Sequence, residues 1–264
     1  MSESFLYAAA GFFVGIMVGL TGVGGGSLMT PILVLLFGQT PAVAVGTDLV
    51  FSATTKLVAT ASFGYSKRVD WVIVTRLAMG SIPGAAAVVV WFWLTHATPA
   101  VIEGVIARSL AVILAVAALV LLLQKPLRLL ALKFTASWLQ RDGALTLPLT
   151  IAVGVVLGIG VTLTSVGAGA LGVVALVALY PLRLNGDRLV ATDIAHALPV
   201  TIIAAASHAV LGHVDAGVLA YLLLGSIPGV LLASRVAIRL PSQLTHMLIA
   251  VMLALVSERM LLAR

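Results

Sequence analysis

The chain has no cysteine. Disulfides, thiolate metal sites, iron–sulfur clusters and cysteine nucleophiles are therefore excluded. Charge is almost as scarce, at 9% of residues against roughly 25% in soluble domains. Catalytic signatures are missing too: the sequence holds no HExxH, no GxSxG and no Walker P-loop, which removes the common zinc-protease, serine-hydrolase and nucleotide-hydrolysis readings. An intramembrane enzyme would have only Ser165 with His196 to work with, and the chain is read as no enzyme. His96, His213 and His246 lack metal-ligand spacing, so no metal or other cofactor is expected.

What the chain has is apolar surface. Of its 264 residues, 61% are hydrophobic, more than one soluble core of this size could bury. A bilayer takes that surface instead, so membrane lipid is the expected surrounding. The net charge of +6 is scattered between apolar runs, without the aromatic-interleaved clusters of a nucleic-acid groove. The first apolar run, Phe5–Leu20, follows Glu3 and no Lys or Arg, and reads as mature structure rather than a signal peptide.

Crossing a bilayer takes about 20 apolar residues. Runs of that kind cover Val43–Tyr65, Trp71–Leu94, Ala100–Leu123, Leu189–Leu211, Ala216–Ala237 and Leu244–Leu262. Two longer stretches, Phe5–Phe37 and Leu147–Tyr180, are interrupted by glycine at Thr21–Ser27 and Ser165–Gly169. The polar stretch from Gln124 to Gly143 carries Lys125, Arg128, Lys133 and Arg141. This predicts an all-α integral membrane protein: a first transmembrane repeat over 1–123, a basic cytoplasmic connector over 124–146, and a second repeat over 147–264.

The halves repeat each other. A shift of 145 positions lays Gly22–Gly84 on Gly167–Gly229 without a gap. Thr47-Asp48 then falls on Thr192-Asp193, Val69-Asp70 on Val214-Asp215, and Gly80-Ser-Ile-Pro-Gly84 on Gly225-Ser-Ile-Pro-Gly229. Positive charge, which marks cytoplasmic loops, changes sides between the copies. The loop of Lys67-Arg68 corresponds to one around His213 with no Lys or Arg, and the loop of Arg183 and Arg188 to Gly38–Pro41, again with none. This pattern predicts two inverted-topology repeats, with glycine-broken or re-entrant segments that enter and leave on one side and both termini extracytoplasmic.

Non-helical backbone within a membrane belongs where protein or water satisfies it, and helix N-termini there favour anions. Gly22, Gly24, Gly25, Gly26 and Ser27 in the first break, and Ser165, Gly167 and Gly169 in the second, are candidate substrate contacts. Gly11, Gly15 and Gly19, spaced by four, suit close helix packing. Gly167-Ala-Gly-Ala-Leu-Gly172 matches a dinucleotide fingerprint literally, but no strand–helix alternation surrounds it. Ionisable residues inside spans are costly and face cavities or one another. Lys56, with Thr47 and Thr192, is read as anion-binding; Asp48, Asp193, His196 and His208 are read as proton-coupling. The alternative for each aspartate is a helix cap near the headgroups. Glu103 and Arg108 read as a structural pair or as residues near the interface, Asp70 and Asp215 as caps, and the two Gly-Ser-Ile-Pro-Gly runs as packing kinks or hinges.

These residues carry a resemblance. Gly19-Leu-Thr-Gly-Val-Gly-Gly-Gly-Ser27 followed by Pro31, Ala44-Val-Gly-Thr-Asp-Leu49, Thr55-Lys56, Val69-Asp-Trp71 and Ala191-Thr-Asp-Ile-Ala-His196, with the paired Gly-Ser-Ile-Pro-Gly runs, resemble the sulfite exporter TauE/SafE family across nearly the whole chain outside the connector. The resemblance implies a permease of the bacterial inner membrane that exports a small sulfur-containing anion such as sulfite or an organosulfonate. Import of a related sulfur oxyanion, a non-conducting role in a sulfur-transfer complex, and a homodimer stay open. One departure stands out: Asp48 and Asp193 replace the Ser expected of many members, which makes proton linkage an expectation for this chain.

Overall fold

A computed structural model describes residues 3–21, 26–62, 69–123, 146–166, 171–181, 183–184 and 186–235, the single positions 126, 129 and 169, and parts of 250–258. Among these residues the secondary structure is helical throughout. The helices are α1 (Glu3–Thr21), α2 (Gly26–Leu35), α3 (Pro41–Ser62), α4 (Trp71–Leu94), α5 (Pro99–Leu122), α6 (Thr146–Thr164), α7 (Gly172–Leu179), α8 (Gly186–Val210) and α9 (Ala216–Arg235). The connector over 124–146 lies outside the described residues except at 126, 129 and 146, and most of Leu244–Leu262 does too.

Among the described residues, five helices are long and apolar enough to cross a membrane: Trp71–Leu94, Pro99–Leu122, Thr146–Thr164, Arg188–Val210 and Ala216–Ala233. Their outward faces are apolar, with Val156, Leu224, Leu119 and Val112 all exposed, as lipid contact requires. Exposed Trp71 at one end of α4 and Trp93 at the other stand about 33 Å apart at 1.5 Å per residue. That separation suits aromatic belts at the two interfaces of a hydrocarbon layer of about 30 Å.

The expected span Val43–Tyr65 forms α3 but is not among the five. Thr47, Asp48, Ser52, Thr54, Thr55 and Lys56 interrupt its apolar run. It is enclosed instead, packed against α2, α5, α8 and α9, so its polar atoms meet protein rather than lipid. Both long apolar stretches are broken where glycine predicted it: α1 gives way to α2, and α6 to α7. Ser165 and Gly169 turn the second break through positive φ values of 61° and 121°.

Packing is reciprocal between the halves. α1 lies on α9, and α6 on α4. A Cβ at Gly11 would strike the Leu222 carbonyl, and one at Gly154 the Leu77 carbonyl. Gly15 meets Ser226 as Gly158 meets Ser81, and Gly225 meets Ala8 as Gly80 meets Ile151. The glycines of the Gly-Ser-Ile-Pro-Gly runs thus set a backbone-to-backbone seam that no side chain could enter. The central helices behave likewise. The Asp215 amide donates to Thr47 Oγ1 at 3.0 Å, and the Asp70 amide to Thr192 Oγ1 at 3.0 Å. The start of α3 therefore meets the cap of α9, and the start of α8 the cap of α4; with Gly46 against His213 and Lys56 against Thr201, α3 and α8 run antiparallel.

Candidate functional site

Lys56 lies in the middle of this antiparallel pair. It is 2% exposed, and its Nζ donates to Thr201 Oγ1 at 3.4 Å, 145 positions away in sequence. That separation equals the repeat shift, so Lys56 and Thr201 are counterparts meeting across the junction of the halves. An ammonium has three donors, and this one long hydrogen bond is all it makes among the described residues. Its charge acts on Asp48, Asp193 and His196, all buried.

The aspartates differ in their surroundings. Asp48 Oδ2 accepts from the Thr30 amide at 3.1 Å and from the Thr30 hydroxyl, while Oδ1 accepts from Ser52 Oγ at 3.1 Å. Asp193 Oδ1 has no hydrogen-bond partner among the described residues, and it rests against the Cα of Gly172, where a Cβ would collide with it. Ser165, buried at the α6–α7 break, faces the Asp48 carboxyl, yet its Oγ completes no hydrogen bond among the described residues.

His196 does not pair with Asp193, three residues before it. Its Nε2 is 2.9 Å from Ser81 Oγ, in the Gly-Ser-Ile-Pro-Gly run of α4. The equivalent serine, Ser226, has no hydrogen-bond partner among the described residues; Phe51 of α3 stands at the position equivalent to His196.

The structure does not bring every expected site residue to Lys56. Thr47 and Thr192 direct their hydroxyls to the opposite half's backbone. His208 sits seven residues past Thr201 along α8, with Nε2 2.9 Å from the Thr162 carbonyl and Nδ1 3.3 Å from His213 Nδ1. Burial pushes the His213 imidazole below its ordinary value. Gly26 and Ser27 open α2, and Gly169 lies in the second break. Gly22, Gly24, Gly25 and Gly167 lie outside the described residues.

Other sequence readings resolve simply. Asp70 and Asp215 are caps, accepting from Ile73 at 3.4 Å and Val218 at 3.0 Å. Asp70 does more: Arg183 grips both its oxygens, at 2.7 and 3.0 Å, and Arg188 adds a contact at 3.1 Å. Burial opposes ionisation of Asp70, but the hydrogen bonds and charge of Arg183, the Ile73 amide and the Arg188 charge outweigh it and hold the carboxyl below its usual range. Glu103 accepts from the Ala42 amide at 3.3 Å; no ion pair joins it to Arg108 among the described residues. Thr30, Ser81 and Thr201 were missed as site residues. The repeat shift, applied to Lys56, points directly to Thr201; Thr30 and Ser81 carry no comparable signal.

With this geometry in view, comparison with known proteins is informative. The family model described as Sulfite exporter TauE/SafE matches residues 7–260. "Probable membrane transporter protein YjnA" of Bacillus subtilis (strain 168) is 40% identical over 231 residues, covering 87% of this chain and 88% of that protein. "Probable membrane transporter protein YunE" of the same organism is 38% identical over 84 residues, covering 32% of this chain and 28% of that protein. No solved structure matches the chain. A bilayer-length helical bundle, a buried charged centre between two related halves and a family match over nearly the whole length converge on one assignment: this multi-pass bacterial membrane protein belongs to the TauE/SafE family of membrane transporters, not to an enzyme family.

Proposed function

We propose that this transporter exports a small sulfur oxyanion such as sulfite across the inner membrane, binding it at Lys56 between two inverted repeats, with a proton accompanying the anion. One observation carries the reading. Lys56 is buried beside Asp48 and Asp193, and among the described residues its one hydrogen bond is the 3.4 Å contact with Thr201. A buried ammonium with unmet donors is costly unless an anion meets it. Ser165, at the α6–α7 break, adds a buried hydroxyl that makes no hydrogen bond among the described residues, a donor suited to an oxyanion.

Charge accounting supports the proton. With both carboxylates ionised, Asp48, Lys56 and Asp193 sum to one negative charge, which repels an incoming anion. One added proton restores balance. A monovalent anion moving alone would be driven outward by about 2.3 kcal/mol per 100 mV. A proton travelling with it cancels that push, and efflux then follows the solute gradient.

Two contacts support inverted repeats over 1–123 and 147–264. Equivalent helices α3 and α8 are antiparallel, as they are when the axis relating them lies in the membrane plane. Asp70, two residues after Arg68, is clasped by Arg183 and Arg188. Asp70, Arg183 and Arg188 therefore share one face, the cytoplasmic one by the positive-inside rule.

The test is efflux of radiolabelled sulfite, with thiosulfate and sulfate alongside, from proteoliposomes of the purified protein. Truncating a buried charge that pairs with its ligand costs about 2–5 kcal/mol, so Lys56→Ala is expected to cut efflux at low sulfite by at least thirtyfold. Efflux no faster than from protein-free liposomes, or equal in Lys56→Ala, would overturn the proposal.

A further inference from the structure

Asp48 and Asp193 occupy equivalent positions, but the repeat has been chemically broken around them. Both oxygens of Asp48 are met by donors from Thr30 and Ser52. At the same shift of 145, Thr30 becomes Ala175 and Ser52 becomes Ala197. Both donors have been replaced by methyl groups. Asp193 Oδ1 is left with no partner among the described residues, packed against the bare Cα of Gly172.

From this asymmetry we infer that Asp193 is the carboxyl that takes up and releases the transported proton, while Asp48 is a permanently held anchor. The inference rests on the proposed anion site. A carboxylate ringed by donors is stabilised as an ion and blocks a proton from the lone pairs the donors already use. A buried carboxylate with a bare oxygen has only a nearby cation to offset its charge. For Asp193 that cation is Lys56. When an anion engages the ammonium, the offset is shared, and Asp193 binds one proton from the aqueous side to which the site is open. Release on the far side returns both anion and proton, so the cycle balances at one proton per anion.

Among the described residues, no other group facing Asp193 fills the role. From α3 it meets the charge of Lys56, and Asp48 on that helix is already bonded. On its own helix, His196 is bonded to Ser81, and Arg188 to Asp70. Arg76 is the only ionisable side chain of α4, and it remains charged. The spans α6 and α7 contain no ionisable residue.

Two measurements test this, one needing no solute. In infrared difference spectra of the purified protein after a pH jump, the protonated-carboxyl C=O band is expected in wild type and in Asp48→Asn, and is expected to vanish in Asp193→Asn. In proteoliposomes, a single required proton makes sulfite exchange fall about tenfold per pH unit above its pKa. Asp193→Asn, fixed in the neutral form, should flatten that slope to less than about twofold. Ser52→Ala, which leaves every charge of the site in place, should keep both band and slope. A slope or band that persists in Asp193→Asn, a band that disappears in Asp48→Asn, or a slope that disappears in Ser52→Ala overturns the inference. A band assigned to Asp193 in a protein that does not move sulfite would leave the proton carrier standing and remove only the substrate.

Discussion

Ser81 and Ser226 are the same residue in the two copies of one pentapeptide, both fully buried, yet among the described residues only Ser81 has a side-chain partner, His196. Removing one member of a buried hydrogen bond costs about 1–3 kcal/mol, because the group left behind stays desolvated. Ser81→Ala is therefore expected to lower thermal stability measurably in detergent. Ser226→Ala, which strands nothing, should be close to neutral. Equal melting shifts in the two variants would show that His196 draws nothing from Ser81. The same reasoning makes the centre asymmetric overall: α3 supplies lysine and a saturated aspartate, whereas α8 supplies threonine, histidine and an unsaturated aspartate.

At the scale of elements, the glycine seams are the most exposed to perturbation. A Cβ at Gly158 would collide with the Ser81 carbonyl, whereas one at Gly104 in α5 would meet open space. Gly104→Ala should stabilise its helix by up to about 1 kcal/mol through the usual alanine advantage. Gly158→Val should instead force α6 from α4 and sharply reduce the folded yield, read by size-exclusion chromatography. The clasp tying the α3–α4 loop to the segment before α8 gives a pH signature. Asp70 titrates below its unfolded value of about 3.9, so the clasp stabilises the fold above that pH and is lost as pH falls through the lower folded value. Asp70→Asn should lower the melting temperature at about pH 7, and its deficit against wild type should shrink as pH falls below about 3.9; a deficit unchanged by acid would assign Asp70 a capping role alone.

Over the whole molecule, the proposed inverted plan makes a labelling prediction that the natural absence of cysteine makes simple to test. Ser66→Cys, beside the Lys67-Arg68 loop, should react with an impermeant maleimide only from the cytoplasmic side. Leu211→Cys, between α8 and α9, should react only from outside. Parallel repeats would place both inside. A reporter fused after Arg264 should likewise be active outside the cytoplasm.

Much of this was legible in the sequence because it depends on composition and local pattern. Four of the expected spans correspond to α4, α5, α8 and α9, since apolar runs without charge have no stable place but a bilayer. The glycine breaks, the seam residues Gly11 and Gly15, and the caps Asp70 and Asp215 were equally readable, each relying on backbone geometry close to its own position. Side-chain partnership was not. Asp193 and His196 are adjacent on a helix face, yet His196 turns to Ser81 on another helix, and Glu103 serves the Ala42 amide rather than Arg108.

By itself, then, the sequence determined a membrane-embedded, twofold-repeated helical protein with scarce charge held in its interior, because hydropathy and internal homology are written in the order of residues. Only the tertiary structure decided that Lys56 meets Thr201 at the junction of the halves, that Asp48 is saturated while Asp193 is not, and that Thr47 and Thr192 join the halves. Those outcomes depend on which donors from distant helices arrive beside a buried group, and that is settled by packing rather than by spacing along the chain.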